Sequence, residues 1–258
     1  KTFDKFASLV DENGILVTNA DDENCVKLVN YTKAKFVTYG IINENANFLA
    51  KNIEFDNNGF AKFDVYKSKE LYMHVDLSVT GEHNVLNALA TIAICDYYKI
   101  DKNAIYNALN NFTGASRRLE YKGSFNDVSV FDDYAHHPTE ILSTAKAIKN
   151  KKYNESWVIF QPHTYSRTNE HLKAFAEVLT NFDNIILTDI YAARERNTIG
   201  ISSKNLEEEI KKLGKDAIYI PEFDKITEYV RKNVKTNDII ITLGAGTVTE
   251  IGPMLVEK

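Results

Sequence analysis

The densest group of chemically active side chains lies in residues 132–139, which read Asp-Asp-Tyr-Ala-His-His-Pro-Thr. Two acids, a phenol and two imidazoles fill five of the first six positions, and such groups bind hydroxyls, hold charged ligands and move protons. A pair of aspartates can simply form a turn, and a single histidine is often structural. Five of these groups together after an apolar run favour a functional site.

Similar side chains follow two later apolar runs, at residues 161–168 (Gln-Pro-His-Thr-Tyr-Ser-Arg-Thr) and 189–195 (Asp-Ile-Tyr-Ala-Ala-Arg-Glu). Arg167 stands just before a predicted helix, where its planar fork suits a carboxylate, although a surface role is the alternative. Residues 244–247 (Gly-Ala-Gly-Thr) predict a tight turn whose amides could face a ligand. They do not form a dinucleotide fingerprint, because position 249 is Thr.

The first 80 residues mix one helix with strands at 15–17 and 36–39 and, from Asn47 to Val79, antiparallel hairpins with an Asn-Asn-Gly turn at 57–59. An apolar helix then opens at residues 81–84 and a second helix covers 101–111. Asn84 and Asn87 lie three residues apart on one face of the first helix. Capping with water and hydrogen bonding to an adenine-type base are both open for Asn84.

From Leu119 onward, short apolar runs alternate with amphipathic segments of helical period. The predicted strands are 128–131, 157–160, 184–188, 217–220 and 238–243, and the predicted helices are 139–149, 170–181, 204–213, 223–232 and 248–255. Alternation of this kind predicts a parallel sheet with right-handed crossovers, a Rossmann-like architecture. The Gly/Ser/Thr-rich segment 112–116 predicts a linker, so the expected domains of this α/β chain are 1–114 and 115–258.

Composition limits the partners. The formal charge of −5 and the pI near 5.8 show no basic footprint, so nucleic acid is not an expected ligand. No apolar run approaches the roughly 20 residues that span a bilayer, and we expect no membrane insertion. The two cysteines are far apart and fit a reducing cytoplasm. Because Lys1-Thr2-Phe3 runs at once into a helical pattern, we expect the chain to begin inside a domain.

Taken together, six strings resemble the ATP-dependent Mur ligases of peptidoglycan synthesis. They are GEHNVLNALA at 81–90, ASRRLE at 115–120, DDYAHHPTE at 132–140, FQPHTYSRT at 160–168, DIYAARE at 189–195 and GAG at 244–246. The resemblance implies the C-terminal part of a central ATPase domain followed by a Rossmann-like C-terminal domain. It also implies a reaction in which ATP and Mg²⁺ activate the carboxylate of UDP-N-acetylmuramate as an acyl phosphate, which the amine of L-alanine attacks.

On the nucleotide side, the resemblance assigns Asn84 and Asn87 to the adenine, Arg118 to an ATP phosphate and Asp133 to the ribose hydroxyls. The chain contains no G-x-x-x-x-G-K-[ST] phosphate loop. The phosphate loop and the magnesium ligands are therefore expected upstream of Lys1, with no metal ligand in this chain. The fragment alone should then be inactive, because phosphoryl transfer depends on that positioning and charge neutralisation.

On the amino-acid side, the resemblance assigns Tyr134, His136, His163 and Arg167 to the incoming substrate, and it makes Arg118 and His136 the candidate catalytic residues. Thr164 stands where relatives often have an arginine, so recognition should depend more on Arg167. Two alternatives stay open. One is a recycling ligase that attaches a ready-made tripeptide to the same nucleotide, and the other is a non-catalytic nucleotide-binding module.

Overall fold

The computed structural model describes residues 1–57 and 59–257. By its internal contacts the chain divides into two compact units, Lys1–Thr113 and Gly114–Lys258. The division lies one residue before the expected boundary between 114 and 115. None of the helices in the described part of the chain is long and apolar enough to cross a membrane.

The first unit is a five-stranded mixed sheet with helices. Its elements are α1 (Thr2–Ser8), β1 (Ile15–Asn19), α2 (Glu23–Val26), a 3₁₀ turn (Lys27–Tyr31), β2 (Lys35–Gly40), β3 (Phe48–Phe55), β4 (Phe60–Lys67), β5 (Glu70–Thr80), α3 (Glu82–Tyr97) and α4 (Lys102–Asn111). The strand order is β1-β2-β3-β4-β5, with β1 to β3 parallel and β3 to β5 antiparallel. The hairpins expected between 47 and 79 are confirmed, while Asn58 of the expected turn lies outside the described residues.

The core of this unit forms where the apolar stripe of α3 meets the sheet. Val85, Leu89 and Ile92 recur at helical spacing, are fully buried and belong to one cluster with residues of β3, β4 and β5. Burial of each such side chain is worth about 1.5–3 kcal/mol relative to exposure. This packing fixes the helix that carries Asn84 and Asn87.

The second unit is a six-stranded sheet covered by helices on both faces. Its elements are β6 (Glu120–Phe125), β7 (Val128–Asp133), α5 (Pro138–Lys149), β8 (Ser156–Phe160), α6 (Tyr165–Glu170), α7 (Leu172–Leu179), β9 (Asn184–Leu187), α8 (Ser203–Lys212), β10 (Ile218–Tyr219), α9 (Phe223–Asn233), β11 (Ile239–Leu243), a 3₁₀ turn (Thr247–Glu250) and α10 (Ile251–Val256). The strand order is β10-β9-β8-β11-β7-β6.

The expected all-parallel sheet is wrong at one edge. β6 pairs antiparallel with β7 in a hairpin closed by Asn126 and Asp127, both of which have positive φ. Asn and Asp tolerate this left-handed conformation, which a two-residue hairpin loop requires. The Asn-Asp pair was therefore the sequence signal for the β6–β7 hairpin, and the prediction overlooked it. The other five strands are parallel, as predicted.

Two predicted helices also differ in form. The helix expected at 170–181 begins earlier and is divided at His171 into α6 and α7, and the helix expected at 248–255 is a 3₁₀ turn followed by α10. The early start matters, because it places Arg167 inside the first turn of α6.

The central strands fix the edge of the sheet at which polar loops emerge. All five residues of β8 and all five of β11 are buried, and separate apolar clusters lie against the two faces of the sheet. Strands buried on both faces read as continuous apolar runs, as these do. The loops after β7, β8, β9 and β11 therefore leave a rigid edge together, which is where parallel sheets bind ligands.

Candidate functional site

The two aspartates at the end of β7 have different environments. The Asp132 carboxylate is fully buried, with Arg117 Nε at 2.9 Å, Thr242 Oγ1 at 2.6 Å and Thr249 Oγ1 at 2.9 Å. A buried charge is tolerated only when it is paired and hydrogen-bonded in this way. Asp132 therefore ties the ends of β7 and β11 to the segment before β6.

Asp133, the predicted ribose ligand and the last residue of β7, is buried among hydrogen-bond donors from three segments. Its Oδ1 accepts from Ala135 N at 2.9 Å, and its Oδ2 accepts from Thr144 Oγ1 at 3.0 Å and from Leu119 N at 3.2 Å. Burial raises the pKa of this carboxyl above its ordinary value, against the effect of these hydrogen bonds and of the Arg118 charge. Since three protein donors already use the carboxylate, its contact with ribose stays a prediction.

The adjacent arginines divide into one fixed and one accessible side chain. Arg117 also donates from Nη2 to Gly244 O at 2.6 Å, and its guanidinium lies 5.0 Å from the centre of the Tyr134 ring. The Arg118 side chain is 54% exposed. Its Nη1 lies 3.8 Å from Glu140 Oε1, which is a long and weak ion pair. Arg118 is therefore free to move toward an anionic ligand, and its contact with an ATP phosphate stays a prediction.

The histidines after β7 belong to the start of α5. His137 is its N-cap, with Nδ1 accepting from Thr139 N at 3.3 Å. Glu140 completes a capping box by accepting from His136 N at 3.0 Å and from His137 N at 3.2 Å. Pro138 is the first residue of this helix, one position before the start predicted at 139. His137 is thereby a structural residue, while the His136 ring lies beside Tyr134, with ring centres 5.2 Å apart.

The loop after β8 brings the other predicted residues to the same place. The His163 ring is 5.7 Å from the His136 ring, and Arg167 Nη1 lies 3.4 Å from His163 Nδ1. Tyr191, from the loop after β9, stacks on His163 at 5.6 Å and forms a bridge with it. The four predicted residues thus form one contiguous group. We use the name imidazole cluster for this group together with Tyr191, so that its members are Tyr134, His136, His163, Arg167 and Tyr191.

Different partners hold the two imidazoles of this cluster in opposite tautomers. His136 Nδ1 lies 2.9 Å from Tyr134 O, which only accepts, so Nδ1 carries the hydrogen and Nε2 is left as an acceptor. His163 Nδ1 faces the guanidinium of Arg167, which only donates, so Nε2 of His163 carries the hydrogen. Burial lowers the pKa of His163, and the charge of Arg167 lowers it further, which favours the neutral ring at neutral pH.

The cluster therefore presents complementary groups. Arg167 and His163 Nε2–H are donors suited to a carboxylate, and His136 Nε2 is an acceptor suited to an amine. Three residues at this site were not predicted as site members. Tyr191 belongs to the cluster, and Arg117 and Glu140 lie beside it. Tyr191 lies in the polar stretch 189–195, and Glu140 lies three residues after His137, which is the spacing of a capping box. The sequence therefore carried a signal for both residues.

The glycine turn after β11 is built for close packing. A Cβ on Gly246 would lie 2.6 Å from Tyr191 Cγ and closer still to Gln161 Oε1. Gly244 has φ +146°, and a Cβ there would lie 2.7 Å from Gln161 O. Gln161 Oε1 in turn accepts from Val248 N at 3.0 Å. The turn thus holds Tyr191 and Gln161 in place, which is a structural reason for its glycines.

In the first unit, the two predicted adenine residues are linked. Asn84 Nδ2 donates to Thr80 O at 2.8 Å, and Asn87 Nδ2 donates to Asn84 Oδ1 at 3.1 Å. The Asn84 side chain therefore binds the last residue of β5 rather than capping α3, whose N-cap is Gly81. The amide pair is partly exposed, and its contact with adenine stays a prediction.

No group of three or more His, Cys, Asp or Glu side chains in residues 1–57 and 59–257 could hold a metal ion.

Fold and site together define a two-unit α/β protein whose second unit displays a group of hydrogen-bond donors and acceptors at the carboxyl edge of a parallel sheet. Family models make this class specific. The Mur ligase middle domain matches residues 1–95, and the Mur ligase glutamate ligase domain matches residues 117–246. The chain belongs to the Mur ligase family, and the family predicted from the six strings is confirmed.

Individual relatives agree with this assignment. The chain is 44% identical over 255 residues to a UDP-N-acetylmuramate–L-alanine ligase of Acetivibrio thermocellus, covering 99% of this chain and 54% of that protein. It is 43% identical over 257 residues to the enzyme of the same name from Clostridium acetobutylicum, covering 100% and 56%. The crystal structure of UDP-N-acetylmuramate-alanine ligase from Thermotoga maritima matches with a TM-score of 0.77 and 29% identity, covering 94% of this chain and 51% of that one. The chain thus spans about half the length of the curated relatives that it matches.

Proposed function

We propose that the full-length protein is an ATP-dependent ligase that joins L-alanine to UDP-N-acetylmuramate in peptidoglycan synthesis. The observation that carries the proposal is the imidazole cluster, in which a carboxylate-binding pair, Arg167 and His163, lies beside an acceptor for an amine, His136. The similarity to two curated ligases of that name, at 43% and 44% identity, supports the same reaction. A cytoplasmic location fits soluble nucleotide substrates of this kind.

The proposed chemistry has two steps. A carboxylate oxygen of the muramyl group attacks the γ-phosphorus of ATP, and ADP leaves to give an acyl phosphate. The alanine nitrogen then attacks the acyl carbon, inorganic phosphate leaves, and the nitrogen loses a proton. Arg167 and His163 would orient the alanine carboxylate, and His136 Nε2 would accept a hydrogen bond, and then the proton, from the amine.

Nucleotide recognition is the second part of the proposal. Arg118, exposed and weakly paired, would neutralise charge on an ATP phosphate, and the Asn84–Asn87 pair would bind the adenine edge. Within residues 1–57 and 59–257, Asp133 Oδ1 accepts a single hydrogen bond, so its second lone pair would serve a ribose hydroxyl. Mg²⁺ completes the proposed cofactors, with its ligands expected outside this chain.

An amino-acid panel tests the substrate. The full-length protein is incubated with UDP-N-acetylmuramate, ATP and Mg²⁺ plus L-alanine, L-serine, glycine or a tripeptide, and ADP and the nucleotide product are measured. L-Alanine should give a product heavier by one alanyl residue, with one ADP per product. Turnover with the tripeptide and none with L-alanine would instead identify the recycling ligase, and no turnover with any acceptor would favour a nucleotide-binding module.

A further inference from the structure

The stretch 189–195 ends in an acidic residue for which the ligation chemistry has no use. Glu195 lies in the irregular segment between β9 and α8, yet its carboxylate reaches the first turn of α6. It accepts from Ser166 N at 2.9 Å and from Ser166 Oγ. These hydrogen bonds lower the pKa of Glu195 below its ordinary value, so the side chain is charged at neutral pH.

The helix that receives this carboxylate has no cap of its own. Its N-cap residue, Thr164, makes no capping hydrogen bond from its side chain to a backbone N–H of the helix, and it has φ +65° and ψ +146°. A β-branched residue with positive φ is strained, and such a conformation persists only where neighbouring structure enforces it. The first backbone N–H groups of a helix need acceptors, and α6 has only six residues. Glu195 supplies one of these acceptors from another loop, and its charge suits the amino end of a helix.

The turn that Glu195 closes carries the carboxylate-binding residues of the site. Arg167 follows Ser166 directly, and His163 precedes Thr164. The loop that delivers Glu195 also delivers Tyr191, whose ring stacks on His163. Backbone bonds from Thr164 N to Tyr191 O at 2.9 Å and from Tyr191 N to Pro162 O at 2.8 Å join the two loops at one end. Glu195 joins them at the other.

We propose that Glu195 is a positioning residue for the incoming amino acid. It fixes the first turn of α6, and with it the direction of the Arg167 guanidinium, against His163 and Tyr191. It does not touch the reacting atoms and acts through Arg167. This inference rests on the proposed function, since it assigns Arg167 to the amino-acid carboxylate.

Steady-state kinetics of the full-length ligase test the proposal. Glu195→Ala should raise KM for L-alanine about fivefold to tenfold, in line with the loss of a helix cap, and should leave KM for ATP within about twofold. Glu195→Gln should be milder, because its amide oxygen can still accept from Ser166 N. The matched control is Glu207→Ala, which removes a carboxylate paired with Lys211 on the surface of α8 and should change neither constant.

A double-mutant cycle decides whether Glu195 acts through Arg167. On an Arg167→Ala background, Glu195→Ala should add less than about a twofold change in KM for L-alanine, because no guanidinium remains to be positioned. A full additional fivefold to tenfold rise there would overturn the proposal. An equal rise in KM for ATP in the single variant would overturn it as well.

A spectroscopic readout separates this inference from the proposed function. The Glu195 charge favours protonation of His163, so Glu195→Gln should move the titration of the His163 imidazole to lower pH. Histidine NMR of the full-length protein measures this shift without any substrate. An unmoved titration would contradict the placement of Glu195 even if the enzyme uses L-alanine, whereas a wild-type protein that ignores L-alanine would defeat the proposed function alone.

Discussion

Arg167 and His163 form the part of the proposed site that would most directly determine which substrate is bound. The arginine points its Nη1 at the imidazole, and the imidazole has its hydrogen on the far nitrogen. Both side chains then offer N–H groups to one ligand, as a carboxylate requires. The residue types were predictable from the string PHTYSR. The tautomer of His163 was not, because it depends on the contact between His163 and Arg167, whose side-chain orientations the sequence does not give.

Replacing Arg167 should weaken amino-acid use and spare the nucleotide. Arg167→Ala should raise KM for L-alanine by about 10- to 150-fold, the equivalent of the 1.5–3 kcal/mol that a hydrogen bond to a charged group contributes. Arg167→Lys should fall between wild type and alanine, because lysine keeps the charge but lacks the fork. Steady-state kinetics with each substrate varied in turn measures this. A defect confined to ATP would show that Arg167 serves the nucleotide.

The pH dependence of stability should reveal the neutral state of His163. Its folded pKa lies below the ordinary value of 6.5, so between the two values the unfolded chain binds more protons than the folded one. The stability that His163 contributes is therefore complete above the ordinary value and is lost as pH falls through the folded pKa. Urea midpoints measured from pH 8 to 5 should fall on acidification, and His163→Gln should flatten that slope. An unchanged slope would contradict the neutral state of the half-buried His163 imidazole.

At the scale of the elements, the segment before β6, the end of β7 and the turn after β11 form one structural joint around Arg117. Spacing and composition did not separate the roles of the two adjacent arginines or of the two adjacent aspartates, and only the family resemblance singled out Arg118 and Asp133. Burial separates them, because Asp132 is enclosed and must be paired, while Arg118 stays exposed. Only the packed structure carries that information, since neighbours along the chain leave a strand end in different directions.

Loss of Arg117 should therefore destabilise the second unit. Arg117→Ala leaves Asp132 buried without its cation and should lower the free energy of unfolding by about 3–5 kcal/mol. Arg118→Ala, the matched control at the next position, should change it by no more than about 0.5 kcal/mol. Urea unfolding followed by fluorescence of Trp157, the one tryptophan of the chain, measures both. Similar values for the two variants would refute the division of roles.

The glycine turn offers a second comparison between elements. Gly246→Ala should destabilise the protein and weaken L-alanine use, because the new methyl group would displace Tyr191 from His163. Gly200→Ala is the control: its φ is +70° but nothing lies within 4 Å of the added Cβ, so it reports backbone strain alone, about 1 kcal/mol. Thermal melting and alanine KM of both variants would be compared. A milder effect at Gly246 than at Gly200 would contradict the packing role.

Across the whole molecule, most of the architecture could be predicted from periodicity. The hairpins of the first unit and five parallel strands of the second follow from alternating and continuous apolar runs. The edge strand β6 did not, because Glu120–Phe125 is a half-exposed strand with a glycine and a bulge at its centre. The contiguity of the imidazole cluster also lay beyond the sequence, since three separate loops build it.

The central claim, ligation of L-alanine through an acyl phosphate, can be tested by following oxygen. UDP-N-acetylmuramate labelled with ¹⁸O in its carboxylate is incubated with the full-length protein, ATP, Mg²⁺ and L-alanine, and the released phosphate is analysed by mass spectrometry. The account predicts one ¹⁸O transferred to inorganic phosphate for each amide bond formed. Amide formation with unlabelled phosphate, or with AMP and pyrophosphate as products, would contradict it.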